Sequence, residues 1–322
     1  MELKNFNGSD EKVSLLGFGC WGIGKSEWKG AEDQESKKTL IKAIENGINF
    51  FDTALAYGRG HSEKLLSEAE KESGKNIFIA SKIPSKKWEW PAGNNSTLKE
   101  SFPKEYIINK TEESLKNLKR DYIDLMQFHV WNDKWADEDE WKKAVEKLKN
   151  EGKVRFWGIS INDHQPENGI EAGKTGLINS FQVIFNIFEQ KPVDYLFPFS
   201  KKNNISIIAR VPFDEGALTG NVAHDTEFPL GDFRNDYFRG TRKIDVQERV
   251  NKIWADVKEN VDSRAEAALR YTISFNAVTT VIPGMRNERN LIANIKSVDK
   301  GSLPYELLDK LKIHKWNKNF YE

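Results

Sequence analysis

Compact apolar runs alternate with amphipathic stretches along most of the chain, and no other feature limits its possible folds so strongly. The runs cover 15–19, 49–52, 77–82, 122–129, 156–160, 181–185, 205–210 and 279–282. They are short and rich in Val, Ile and Phe, as strands covered on both faces are. Between them, apolar residues recur at helical spacing. Leu40, Ile41, Ala43 and Ile44 share a face before Gly47. Ser62, Glu63 and Leu65-Leu66 read as a capped helix start. Ile107, Ile108, Leu115 and Leu118 mark a further helix, as do Trp141, Val145 and Leu148 before Gly152. Others fit 170–174, 193–202 and 287–298, and two consecutive helices fit 246–261 and 263–271. Eight strands alternating with helices predict a (β/α)8 TIM barrel; a doubly wound open sheet is the alternative. "LKNF" and "KVSLLGFG" flank Asn7-Gly8, which predicts a β-hairpin ahead of the barrel. Without a linker or composition break, residues 1–322 are expected to form one domain.

Composition narrows the function. Of 322 residues, 38% are hydrophobic, enough for a large core. Lys+Arg and Asp+Glu both number 49, so no basic excess points to nucleic acid and no acidic excess to a charged partner. Cys20 is the single cysteine, which excludes an internal disulfide and suits a reducing compartment. The first residues lack the apolar core of a signal peptide, and no apolar run reaches membrane-spanning length. A cytoplasmic protein is expected.

In a barrel, chemistry gathers at the carboxyl ends of the strands. There the sequence sets polar, titratable residues: Asp52 and Tyr57 in "FFDTALAYGRGHSE", Lys82 in "FIASKIP" and His129 in "DLMQFHVW". A phenol ordinarily titrates near ~10. A nearby ammonium favours the phenolate and lowers that value. A carboxylate would keep the lysine charged and oriented, and a histidine could donate a hydrogen bond to a carbonyl oxygen. Such a group would protonate a carbonyl oxygen as hydride reaches its carbon, or run the reverse.

These motifs resemble the aldo-keto reductase superfamily. "INFFDTALAYGRGHSE" is similar to its Asp-Thr-Ala…Tyr-Gly…Ser-Glu signature. "RDYIDLMQFHVW", "VRFWGIS", "FQVIFN" and "TTVIPGMRNERNLIANI" resemble its fourth, fifth, sixth and cofactor-binding carboxyl-terminal segments. The resemblance spans the chain. It implies a barrel binding NADP(H), or less often NAD(H), without a metal. Carried over by position, the catalytic tetrad is Asp52, Tyr57, Lys82 and His129, with Tyr57 the general acid. Ser160 and Gln182 would hold the nicotinamide carboxamide. Arg286 and Asn294 would face the adenosine end, with Asn290 and Gly284 nearby and Arg286 the candidate for a 2′-phosphate.

The chain departs from the family pattern in three places. Ser160 is followed by Ile161 rather than Asn, with Asn162 next. Arg210, ahead of Pro212 and Phe213, stands where an aromatic ring usually meets the nicotinamide; its planar guanidinium could stack there. A cation at that place would disfavour the oxidised nicotinamide, so NADPH should bind tighter than NADP. Gly284 replaces a lysine found in some branches, which leaves NADP preference resting mainly on Arg286.

"GFGCWG" matches a dinucleotide fingerprint, but "IGKSEWKG" separates it from any helical pattern. Its glycines are expected to let the backbone pass close to substrate. The five histidines (His61, His129, His164, His224 and His314) lack metal-ligand spacing. Trp21 and Trp131, just after strands one and four, are candidate pocket walls. So is Trp88, which shares with Trp90 a long loop after strand three. A second long loop after strand seven could fold over the cofactor. The leading expectation is an NADPH-dependent reductase acting on an aldehyde, ketone or sugar-like substrate. The alternatives are a nucleotide-sensing regulatory barrel with little turnover and an NAD-dependent alcohol or sugar dehydrogenase. The oligomeric state stays open, with a monomer the leaning.

Overall fold

A computed structural model describes residues 1–25 and 27–322; Ser26, within "IGKSEWKG", lies outside them. The sequence begins with the expected hairpin. β1 (Leu3–Asn5) and β2 (Lys12–Ser14) pair antiparallel, and the chain turns through Asn7 and Gly8, both at positive φ. The eight barrel strands follow: β3 (Phe18–Gly19), β4 (Phe50–Asp52), β5 (Phe78–Ile83), β6 (Ile123–Phe128), β7 (Val154–Ser160), β8 (Ser180–Ile184), β9 (Ser206–Arg210) and β10 (Val278–Val281). All pair parallel in sequence order. The barrel is nearly closed by bridges from Leu16 to Val281 and from Gly19 to Gly284. This is the predicted (β/α)8 architecture rather than the open sheet.

Two apolar layers follow from the strand period of two. Inward residues Phe50, Phe78, Ala80, Leu125 and Ile208 pack with Phe6 and Val13 of the hairpin, which therefore plugs the amino-terminal end of the barrel. Outward residues such as Phe51, Ile79 and Met126 pack beneath the surrounding helices. The helices fall largely where apolar spacing placed them, among them Asp33–Glu45, Lys104–Leu118, Asp139–Asn150, Arg242–Val257 and Arg264–Ile273. One cap differs. The helix His61–Ser73 starts after Gly60 in a left-handed conformation. Ser62 accepts a hydrogen bond from Thr53 and donates one to the Cys20 carbonyl, tying three loops together instead of capping.

The "GFGCWG" glycines serve strand and loop contact. A Cβ on Gly17 would meet Thr280 at 2.9 Å, and one on Gly19 would meet the Ile282 carbonyl at 2.7 Å. A Cβ on Gly22 would sit 2.9 Å from the Arg286 side chain, and one on Gly24 3.0 Å from Tyr57. Gly17 and Gly19 let β3 and β10 pack closely, and Gly22 and Gly24 let the following loop meet Arg286 and Tyr57. No helix among the described residues is long and apolar enough to cross a membrane.

Candidate active site

Above the apolar interior layer the same strands turn polar. Phe50 is followed two residues later by Asp52, Ala80 by Lys82, Leu125 by Gln127 and Ile208 by Arg210. The parallel register sets Lys82 opposite Gln127, and Asp52 opposite Ala80. Lys82 lies one residue before the end of β5, and His129 directly follows β6, its N–H donating to the Ile83 carbonyl at 3.0 Å.

The Lys82 ammonium is fully buried and donates in three directions. Asp52 Oδ1 lies at 2.5 Å, the Thr53 carbonyl at 2.8 Å and the Tyr57 hydroxyl at 3.2 Å. The other Asp52 oxygen accepts from Gln182 at 2.7 Å and from Gln127 at 3.2 Å. Both carboxylate oxygens are therefore satisfied, as a buried carboxylate requires. Burial draws the Lys82 ammonium below its ordinary value, and Asp52 opposes that pull. The Tyr57 loop is fixed by Gly58, at φ 63°, where any Cβ would lie 2.1 Å from the Gly24 carbonyl.

Tyr57 keeps part of its surface accessible. Enclosure of the rest pushes its phenol well above the usual value, the Asp52 carboxylate adds to this, and Arg210 pulls the other way. The expected lowering by the ammonium is not the net result, because Asp52 already neutralises Lys82. Tyr57 thus rests as a protonated phenol. Burial holds the His129 imidazole well below its usual value, with Lys82 and Arg210 adding to the effect, so the ring is neutral near pH 7. Its ring centroid lies 5.7 Å from that of Tyr57 and 4.6 Å from that of Trp90.

A neutral carbonyl orienter, a protonated phenol and a buried ammonium–carboxylate pair at one barrel mouth suit proton transfer to a carbonyl oxygen. Residues 15–315 match the model of the aldo/keto reductase family. The uncharacterized oxidoreductase YqkF of Bacillus subtilis is 31% identical over 98% of this chain and 96% of its own length. Among solved structures, the aldo-keto reductase AKR11C1 of Bacillus halodurans (holo form) superposes with TM-score 0.78 and 25% identity over the full length of both chains. The glycerol dehydrogenase AKR11B4 of Gluconobacter oxydans superposes with TM-score 0.80 and 26% identity over 97% of this chain and 94% of its own. The chain belongs to the aldo/keto reductase family. It is an oxidoreductase acting on carbonyl or alcohol groups, in a family that uses nicotinamide cofactors.

In this aldo/keto reductase the residues expected to meet the cofactor lie on and after β7, β8, β9 and β10. Ser160 ends β7, and Gln182 lies on β8 with its amide nitrogen engaged by Asp52 and Gln127. Asn162, which follows Ile161, is engaged within the protein: its oxygen accepts from the Trp131 N–H and its nitrogen donates to Gln165. Arg210 is paired, with one Nη2 donating to Asp163 at 2.7 Å and to the Ile161 carbonyl at 3.0 Å. Arg210 therefore stands at that place as half of an ion pair. Val211 (φ 55°), Asp214 (φ 50°) and Glu215 (φ 55°) follow it in left-handed conformations. Pro212 is buried and Phe213 half-buried in the same loop.

After β10, Gly284 and Asn290 are exposed, and Asn287 caps the helix Glu288–Asp299 by accepting from the Asn290 N–H. Arg286 donates to the Lys29 carbonyl at 2.6 Å and lies over Trp28 at 5.4 Å, with Arg234 at 4.5 Å from the same ring. The buried Asn294 Nδ2 and Arg210 Nε lack partners among the described residues. The unsatisfied buried donor of Asn294 and the guanidinium groups of Arg286 and Arg234 over Trp28 fit a phosphate-bearing nucleotide. The long loop after β9 docks here: Phe233 N–H donates to the Glu27 carbonyl at 2.9 Å, and Asp232 accepts from Lys29 N–H and from Arg234.

The pocket walls need correction. Trp21 lies 6.4 Å from Tyr57, ring to ring. Trp131 is fully buried against Phe128, Trp135 and Trp141, so it belongs to the core under the helices. Trp88 is 57% exposed, and its neighbour Trp90 takes the place over His129. The sequence reading also missed Gln127, which the apolar-x-polar step of each strand could have exposed. It missed the carboxyl-terminal tail too. Lys318 donates to Asp214 at 2.9 Å and to the Tyr237 hydroxyl at 2.8 Å, and Tyr321 donates to Glu215 at 2.5 Å. No local signal marks these long-range pairings.

Proposed function

We propose that this enzyme is an NADPH-dependent carbonyl reductase acting on a small aldehyde, ketone or sugar-like compound. The observation that carries the reading is the bridge of Lys82 between buried Asp52 and the Tyr57 hydroxyl. A reduced nicotinamide supplies hydride to the carbonyl carbon when bound. Tyr57 donates its phenol proton to the carbonyl oxygen as negative charge develops there. Lys82, hydrogen-bonded to the phenolic oxygen, stabilises the phenolate left behind, and Asp52 keeps the ammonium charged and aimed. Neutral His129 offers a ring N–H to the same carbonyl oxygen and fixes its approach. Ser160, Gln182, Arg210, Pro212 and Phe213 would border the nicotinamide half. Gly284, Arg286, Asn290 and Asn294 would border the adenosine half, and the paired guanidinium groups of Arg286 and Arg234 support a 2′-phosphate.

The test is NADPH oxidation with a panel of aldehydes, including an activated aromatic aldehyde and methylglyoxal, with Tyr57→Phe run in parallel. The natural protein should turn over, and the variant should lose about 10²–10⁴-fold in kcat, the worth of a positioned acid. NADPH binding, followed by its fluorescence, should persist. Undiminished turnover in Tyr57→Phe would sink the assignment of Tyr57 as the acid.

A further inference from the structure

Asp163 is a buried carboxylate outside the Tyr57–Lys82–Asp52–His129 group, and it joins two loops that share no other hydrogen bond described above. Its Oδ2 accepts from the Trp90 indole N–H at 2.9 Å, and its Oδ1 accepts from Arg210 at 2.7 Å. Its side chain is 2% exposed, whereas Trp90 is 45% exposed. Trp90 therefore has a free surface, and its position rests on one polar anchor and on the edge of His129 at 4.6 Å. The anchor is rigid because its second oxygen is held by a guanidinium, in a charge-assisted bond stronger than a neutral one.

We propose that Asp163 is a positioning residue that fixes Trp90 as the wall of the substrate pocket beside His129 and so sets selectivity for flat, extended carbonyl substrates. The proposal rests on the carbonyl-reduction reading. An indole held over His129 offers apolar area to a substrate whose carbonyl meets that ring. An aromatic aldehyde can cover this area, whereas methylglyoxal has little surface to place against it. Asparagine at position 163 has a single carbonyl oxygen. The guanidinium claims that oxygen, and the amide nitrogen then faces the indole N–H, donor against donor. Asp163→Asn should accordingly release Trp90 while leaving Arg210 hydrogen-bonded but without its counter-charge, a loss that Trp90→Phe does not share.

The experiment compares Asp163→Asn, Trp90→Phe and the double variant with the natural protein, using 4-nitrobenzaldehyde and methylglyoxal. Each single variant should raise KM for the aromatic aldehyde roughly fivefold, the size of one net hydrogen bond. Its kcat should change less than about twofold, the pattern of lost uniform binding. The double variant should match Asp163→Asn, in which the Trp90 contact is already broken. KM for methylglyoxal should move least. Additive effects, or an unchanged KM in Trp90→Phe alone, would overturn the proposal.

A second arm does not depend on turnover. In protein labelled with 5-fluorotryptophan, the fluorine resonance lost in Trp90→Phe identifies Trp90. That resonance should move toward the free-amino-acid position in Asp163→Asn; an unmoved resonance overturns the inference. If the natural protein reduces none of the aldehydes, the carbonyl-reduction reading is what has failed, and the resonance still decides whether Asp163 holds Trp90.

Discussion

Glu215 illustrates how a single buried group ties the site to pH. It lies in the left-handed turn after β9 and accepts a hydrogen bond from Tyr321 of the tail. Burial pushes its carboxyl up to about 7, with the Tyr321 hydrogen bond and Arg210 opposing and Asp214 adding. In the unfolded chain the same carboxyl titrates near ~4.3. The native state therefore holds a proton that the unfolded state has lost between those values. Stability from this group is fully present below the unfolded pKa and is lost as pH rises through about 7. Glu215→Gln keeps an acceptor for Tyr321 and removes the titration. Denaturation at pH 5 and pH 8 should show the variant gaining on the natural protein at the higher pH, by at most about 3 kcal/mol. Equal pH dependence in the two proteins would show that Glu215 does not titrate in this range. His129, held neutral, should contribute no break to a rate profile near its ordinary pKa.

Elements position these residues through loops that touch, and glycine decides how closely. Gly58 and Gly74 both sit in left-handed conformations, at φ 63° and 65°. A methyl group on Gly58 would strike the Gly24 carbonyl, whereas nothing lies within 4 Å of one on Gly74. Each alanine substitution carries the same backbone cost of about 1–2 kcal/mol. Gly74→Ala should therefore lower Tm by a few degrees and leave kcat intact. Gly58→Ala should cost at least about tenfold in kcat as well, because the Tyr57 loop must move. The loop after β9 offers a second test at this scale. Asp232 holds Lys29 N–H and Arg234 together across the groove. Asp232→Ala should weaken NADPH binding about tenfold in a fluorescence titration with little change in far-ultraviolet circular dichroism, the loss expected when a charge-assisted contact goes.

The same scale explains what the sequence made legible. Strand ends could be read because parallel strands are short apolar runs, and Asp52, Lys82 and His129 stood at their ends. The barrel order followed from the count. Trp131 and Trp88 were misplaced because both follow strands, where a tryptophan can turn inward under a helix or outward to the mouth. Local sequence does not distinguish the two. Asp163, Glu215 and Tyr321 carried no signal because each acquires its role from a partner far along the chain.

Across the whole molecule, the tail is bound to the body by Lys318, by Tyr321 and by Arg242, which donates to the Phe320 carbonyl at 2.8 Å, and Lys318 is the buried cation among them. Lys318 is 4% exposed, paired to Asp214, and lies within 6 Å of the rings of Phe188, Tyr237, Trp316 and Phe320. Removing one partner of such a pair leaves a buried carboxylate without its counter-charge, which costs about 3–5 kcal/mol. Lys318→Met should lower stability by that order in urea denaturation and release the tail to limited proteolysis near Phe320. A cleavage pattern like that of the natural protein would contradict this anchoring role.

The β3–β10 seam sets the order in which such a chain can mature on the ribosome. Asp52, Lys82 and His129 are all made early, yet the strand that completes their barrel is Val278–Val281, and it bridges to Leu16 near the start. Until that strand emerges, β3 presents an unpaired edge, and the contact that seals it spans nearly the entire chain. Loop closure on that scale is slow, and open strand edges recruit other chains. Synthesis of this barrel therefore leaves an interval in which a nearly complete polypeptide carries the edge of its first barrel strand unpaired.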